Sequence, residues 1–162
     1  MKNEVLIVKG GNPLFGSVVL PSNKNSVLPI LCATLIRSGT TVLSHVPKSP
    51  DVLKIIQALE KLGAVCTWQE SKLFINTIRV SSYEVDPCVS DIQAGILFAG
   101  PLLNRFGCAV IPRGKGCKLG HRGPEKHIEF FSKAGISCEQ KGDVLVFKEL
   151  TPKRSVPITQ SG

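Results

Sequence analysis

ALEKLGAVCTWQESKLFIN, residues 58–76, and FFSKAGISCEQKGDVLVFK, residues 130–148, share the pattern that decides the fold. In each, a helical run stops at a glycine, Gly63 or Gly135, and two short apolar stretches then face one another across a turn. The two glycines lie 72 residues apart. A second pair, LIRSGTTVLSHVP (35–47) and LLNRFGCAVIP (102–112), aligns on Gly39 and Gly107, 68 residues apart. Two anchor pairs in the same order identify an internal repeat. The difference in spacing puts four extra residues into the second copy, in the stretch holding PRGKGCKLGHRGP (112–124).

Each copy reads helix, strand, helix, hairpin, an α/β (α+β) chain. The first helix spans roughly 24–37 after Ser22, with Leu28, Cys32 and Leu35 near helical spacing. Pro29 is expected in its first turn or at a kink. A strand follows at TTVLSHV (40–46). The next helix opens with Ser49 as N-cap and Pro50 at the first position, and lines Val52, Ile55, Ile56, Leu59 and Leu62 along one face. Gly63 ends it, and VCTW and KLFIN form a hairpin. In the second copy, Ser90 and Gln93 read as a capping box ahead of AGILFAGPLLNRF. Gly123-Pro124-Glu125 opens a helix with Ile128, Phe131 and Ala134 inward, and SCEQ and VLVF form the last hairpin across Lys141-Gly142-Asp143. A strand is expected before each copy, at GSVVLPS (16–22) and SYEVDP (82–87). The repeats therefore run from about 17 to 78 and from about 80 to 150, with a third beginning at SVPITQSG (155–162).

The 162 residues, 43% hydrophobic and 20% charged, suit one globular domain with a real core. Runs such as VLPILCATLI (27–36) fall short of the roughly 20 residues that span a bilayer, and MKNEVLIVKGG (1–11) lacks the features of a signal peptide. A cytoplasmic protein is expected. Six cysteines stand singly at 32, 66, 88, 108, 117 and 138, with no CxxC pair and no histidine at metal-ligand spacing, so free thiols are expected. The net charge of +8 and isoelectric point of 9.4 call for an anionic partner or none at all. Aromatics at 6% and the lack of a dense basic helix face argue against nucleic acid, whereas small phosphorylated ligands fit the charge.

Three places carry candidate chemistry. PSNKNSVLP (21–29) sets Lys24 and Asn25 in the first turn of a helix, where free amides and the dipole attract anions. A solvated lysine is the plain alternative. Cys117 has Arg113, Lys115, Lys118 and Arg122 within five residues and glycines at 114, 116 and 120, an environment that stabilises a thiolate. A surface cysteine on a basic loop is the plain alternative, and the other five cysteines read as core fillers. Arg122 and the amides of 123–126 form a second anion cradle, flanked by His121 and His127. No Gly-x-Gly-x-x-Gly follows a strand and no Walker lysine pattern occurs.

Four stretches then carry a resemblance: KNSVLPILCATL (24–35), VPKSPDVLKIIQALEKLGA (46–64), GPLLNRFG (100–107) and GCKLGHRGPEKHIEFFSKAG (116–135). Together they are similar to the UDP-N-acetylglucosamine 1-carboxyvinyltransferases, enolpyruvyl transferases at the first committed step of peptidoglycan synthesis. The resemblance implies an inside-out α/β barrel, with three βαβαββ-type repeats per domain and two domains. Residues 1–22 would then belong to or lead from the other domain, and 23–162 would form an incomplete catalytic-loop domain. In such enzymes the chain continues through a third repeat and a second domain, so turnover by these 162 residues alone is not expected.

The implied reaction moves an enolpyruvyl group from phosphoenolpyruvate to the 3-hydroxyl of UDP-N-acetylglucosamine, with no cofactor. By resemblance, Lys24 and Asn25 contact phosphoenolpyruvate and the sugar nucleotide. Cys117 is the loop acid, the thiol alkylated by fosfomycin, and Arg122, Gly123, Pro124, Glu125 and Lys126 match the segment holding nucleotide and phosphate. Gln93 stands where the family has an arginine for the bound phosphates, and the family's Arg-Pro-Val-Asp-Leu run appears as Arg122-Gly123-Pro124-Glu125-Lys126. The related shikimate-pathway enzymes have a serine after the lysine and lack the cysteine loop, so Asn25 and Cys117 favour the sugar nucleotide. Expected partners are these two substrates and the missing second domain in trans or another copy of the chain. A non-catalytic sugar-nucleotide-binding relative is the alternative reading.

Overall fold

Ser49-Pro50-Asp51 starts a helix for plain reasons. Proline presets φ and needs no donor, and the acid complements the positive end of the dipole. The computed structural model describes residues 5, 7–11, 13, 15–18, 22–114 and 124–150, and there helix α2 runs Pro50–Lys61 with Ser49 at its N-cap. Its expected face is buried: Val52, Ile55 and Leu59 are fully enclosed, with Ile56 and Leu62 nearly so. Each such side chain contributes about 1.5–3 kcal/mol by leaving water. Gly63, at φ 104°, turns the chain out of the helix. A Cβ there would meet the Arg79 carbonyl oxygen at 2.8 Å, so glycine is required twice over.

Helix α1 covers Lys24–Ala33. Its cap is Asn23 and not Ser22. The extended Asn23 backbone lets Oδ1 accept the Asn25 N–H at 2.9 Å, which a residue one step earlier in the chain does not reach. Pro29 is the sixth residue of α1, beyond the first turn, and has no N–H to offer the Asn25 carbonyl. The helix continues regardless, because Leu28, Leu31 and Cys32 are buried against α2, and it tightens into a 3₁₀ turn at Thr34–Ile36.

The first sheet has strands β1 (Thr40–Ser44), β2 (Val65–Gln69) and β3 (Lys72–Asn76), ordered β1-β3-β2 and antiparallel throughout. Leu43 and Trp68 both pair with Leu73, and Thr41 and Cys66 both pair with Ile75, so one face presents the apolar set to the helices.

The second unit reproduces this plan. It contains α3 (Ala99–Phe106), β4 (Cys108–Pro112), α4 (Glu125–Lys133), β5 (Ile136–Lys141) and β6 (Val144–Glu149), with sheet order β4-β6-β5. Register follows the repeat: Thr40 pairs with Asn76 and Cys108 with Lys148, Val65 with Asn76 and Ser137 with Lys148. Both hairpins form as expected, as does the helix after Pro124.

Three expectations change. Ser90 and Gln93 form no capping box: Ser90 closes a 3₁₀ turn at Pro87–Val89, and Gln93 begins another, Gln93–Phe98, with Ile92 at its N-cap position. The cause lies upstream, where the Asp86 carboxylate accepts the Cys88 N–H at 2.9 Å and nucleates that earlier turn. The same turn shortens the strand expected at 82–87 to a single parallel bridge, Glu84 to Val110. Residues 15–18 carry no strand, while 19–21 and the third-repeat start at 155–162 lie outside the described residues.

One side chain ties the units together. Arg105, half-buried on α3, donates to the carbonyls of Leu35 (3.3 Å) and Thr77 (2.9 Å) in the first unit and of Val80 (3.2 Å) in the link between the units. Arg105→Met keeps the stem and removes the donors; the Thr77 carbonyl retains the Val80 N–H, while those of Leu35 and Val80 lose the guanidinium. Unfolding by urea should show a loss on the order of 3 kcal/mol; a loss within a few tenths would show that the seam does not depend on this charge.

Candidate functional site

The first turns of α1 and α2 lie side by side, and their acidic and basic residues meet. Lys24 Nζ donates to Asp51 Oδ2 at 2.5 Å, both side chains remaining partly exposed. One turn further along α2, Lys54 pairs with Asp91, at the start of the segment that leads to Gln93. Lys24, Asn25 and Gln93 are all exposed. The root of the 112–124 loop reaches the same edge: a Cβ on Gly114 would lie 3.7 Å from the Ile92 carbonyl and 3.8 Å from that of Ser90. Arg113 is fixed beside it, its backbone N–H donating to the Asp143 carbonyl at 2.7 Å. The fold thus gathers Lys24 with Asn25, Gln93 and the loop root from three separate segments.

Pro124, Glu125 and Lys126 stand elsewhere, at the head of α4. Pro124 occupies the N-cap position and its carbonyl accepts the Ile128 N–H, while Glu125 and Lys126 point to solvent. No hydrogen bond or ion pair among the described residues joins them to Lys24. Cys117, Arg122, Gly123, His121, Lys115 and Lys118 lie outside the described residues. No cluster of three or more metal-ligating side chains occurs among the described residues.

Asp51 and Asp91 were not singled out by sequence. Asp51 reads locally as a helix-start acid, and its pairing with a lysine 27 residues earlier exists only once α1 lies on α2. The two acids matter electrically. They offset Lys24 and Lys54, so these two lysines add little net charge to the described edge.

A sequence profile of the family described as EPSP synthase (3-phosphoshikimate 1-carboxyvinyltransferase) matches residues 8–155. The chain belongs to that family. Curated members similar to it include the UDP-N-acetylglucosamine 1-carboxyvinyltransferases of Campylobacter fetus (33% identical over 144 residues), Methylacidiphilum infernorum (36% over 143) and Coxiella burnetii (37% over 139). The first two alignments cover 88% of this chain and 34% of the relative, so the chain spans about a third of the length of the curated relatives it matches. The enolpyruvyl transferase NikO from Streptomyces tendae superposes with a TM-score of 0.71 over 88% of this chain and 32% of that one, at 17% identity. That likeness gives the family's fold to the two units described above.

In this EPSP synthase family chain the five described cysteines are free. Burial pushes the Cys66 thiol up to about 12, with Glu60 adding to the effect. Burial and then the Asp86 side chain raise Cys88 to about 11. Cys32, enclosed in the core, is raised further, and Cys138 is raised by burial alone. At neutral pH these are inert thiols. Such groups hold their proton more tightly when folded, so their contribution to stability is complete below the ordinary value of 9.0 and is lost as pH rises toward 11 and 12. The urea midpoint should therefore fall between pH 9 and 11, and fall less steeply in Cys66→Ser. Parallel curves for both proteins would place the alkaline loss elsewhere.

Proposed function

We propose that this chain is the catalytic-loop portion of a UDP-N-acetylglucosamine 1-carboxyvinyltransferase acting in peptidoglycan synthesis in the cytoplasm. The observation that carries the reading is the convergence of Lys24, Asn25 and the loop root on one edge, in a chain whose curated relatives at 32–37% identity bear that enzyme's name. In the proposed reaction the sugar 3-hydroxyl adds to C2 of phosphoenolpyruvate as C3 gains a proton. Loss of phosphate and of a C3 proton then leaves the enol ether.

Lys24 serves this chemistry as a charge for the phosphate, released from Asp51 when a more highly charged anion arrives. Asn25 offers its amide to the sugar nucleotide. Cys117 acts as the acid toward phosphoenolpyruvate, its thiol tuned by Arg113, Lys115, Lys118 and Arg122 in the same loop. Arg122, with the segment Gly123 to Lys126, holds nucleotide and phosphate, and its glycines let the loop close over two anions. Residues 1–22 lead from a second domain, whose groups complete the site between the two.

A second reading, a non-catalytic sugar-nucleotide binder, is favoured by Gln93, which brings no charge to a place where the resemblance puts arginine. Intact-mass labelling with fosfomycin, with and without UDP-N-acetylglucosamine, separates the two. A single adduct on Cys117, formed faster with the sugar nucleotide, is the result expected for the transferase. No adduct, with Cys117 still open to iodoacetamide, would leave the binder. Gln93→Arg should then tighten binding of the sugar nucleotide by about tenfold, the worth of one added charge-assisted hydrogen bond.

A further inference from the structure

Four charges alternate in sign across the functional edge. Lys24 pairs with Asp51 and joins α1 to α2, and Lys54 pairs with Asp91 and joins α2 to the segment ahead of Gln93. Asp51 and Lys54 are three residues apart on α2 and so share one face of it. The run Lys24–Asp51–Lys54–Asp91 therefore crosses from the head of α1 to residues 90–92, where the Ser90 and Ile92 carbonyls lie against the loop root at Gly114. Lys54 stands between the two places already given to anions, and the reaction as written above leaves it without a part.

One end of this lysine is held firmly and the other is not. The Cys88 thiol donates to the Lys54 carbonyl at 3.8 Å, and Asp86 Oδ1 accepts the Cys88 N–H, which seats this part of α2 on the Pro87–Val89 turn. The ammonium end is closer to water: the Lys54 side chain is 33% exposed and that of Asp91 57%. An ion pair so placed is weak enough to open for a more highly charged anion.

The internal repeat gives the position a counterpart. The offset of 72 that carries Gly63 onto Gly135 carries Lys54 onto Lys126, and the offset of 68 carries Asn25 onto Gln93. Each unit thus supplies one neutral amide and one lysine from corresponding positions. Asn25 follows a lysine, whereas Gln93 follows Ile92, so the cation held beside the Gln93 segment is Lys54.

We propose that Lys54 is a second phosphate-binding residue of this edge, its ammonium leaving Asp91 for the diphosphate of the sugar nucleotide. The proposal rests on the sugar-nucleotide reading and deepens it, because Lys54 brings to the diphosphate the charge that Gln93 lacks. A diphosphate offers two negative charges against the one on Asp91, which drives the exchange.

The test is a phosphorus NMR titration of UDP-N-acetylglucosamine with the 162-residue chain, which reads dissociation constants into the millimolar range. Lys54→Gln should weaken binding about tenfold, the worth of one charge-assisted hydrogen bond, and Lys54→Arg should keep it. Asp91→Asn should tighten binding severalfold, because the competing carboxylate is gone. Opposite signs separate a ligand role from a structural one, since a pair that only braces the fold loses binding from either side. Adding Gln93→Arg to Lys54→Gln should restore affinity, which also shows that the Lys54→Gln chain is folded. Equal losses in Lys54→Gln and Asp91→Asn would overturn the proposal. So would an unchanged Lys54→Gln beside a weakened Lys24→Gln, and either result leaves the sugar-nucleotide reading standing. A chain that shifts neither phosphorus resonance would overturn it as well, and fosfomycin labelling of Cys117 in the same sample then decides whether that reading falls too.

Discussion

Arg105 carries a fixed charge into the seam between two sheets and satisfies three backbone carbonyls that no strand or helix reaches. Everything else depends on that join. Each unit alone is a three-stranded sheet with helices on one face, too small to enclose Leu35, Phe98 and Leu102 together. An arginine suits the place because its planar fork spans several acceptors at once and stays charged at any pH of interest. Desolvating it is costly, and the cost is offset only because the carbonyls of Leu35, Thr77 and Val80 point at one spot.

The functional edge inherits its geometry from the same arrangement. Lys24 and Asn25 are set by the cap at Asn23, Asp51 by the helix start at Pro50, and the loop root by β4, the strand that follows the Arg105 helix. The ion pairs Lys24–Asp51 and Lys54–Asp91 keep lysines in place at little net charge. This edge therefore presents prearranged donors without a strong static field.

Much of this was legible in the sequence, and the misses have physical causes. The spacings of 68 and 72 anticipated the two hairpins, because a repeated pattern of glycine, apolar and turn residues repeats its hydrogen bonds. Ser22 and Ser90 misled because several capping side chains stood together; Asn23 and Asp86 took the amides that were nearest. The Lys24–Asp51 pair was invisible because it joins residues 27 apart across a helix contact, and no local pattern encodes that. Of the candidate site, Lys24, Asn25 and Gln93 do share an edge, whereas Pro124, Glu125 and Lys126 belong to the start of α4.

The position of β3 and β6 has a kinetic corollary. Each lies in the middle of its sheet yet comes last in its unit, so the first strand, β1 or β4, waits for a partner some 36 to 40 residues further on: Thr40 pairs with Asn76, and Cys108 with Lys148. The β2–β3 and β5–β6 hairpins close over a few residues and need no such wait. On nascent chain, β4 would have only the bridge at Glu84 as a partner until β6 has emerged, with Ala109 and Ile111 uncovered meanwhile. The basic segment that follows β4 puts several like charges beside that exposed apolar strand, which discourages intermolecular pairing during the interval. The basic segment thereby acts as a gatekeeper while the sheet is being completed.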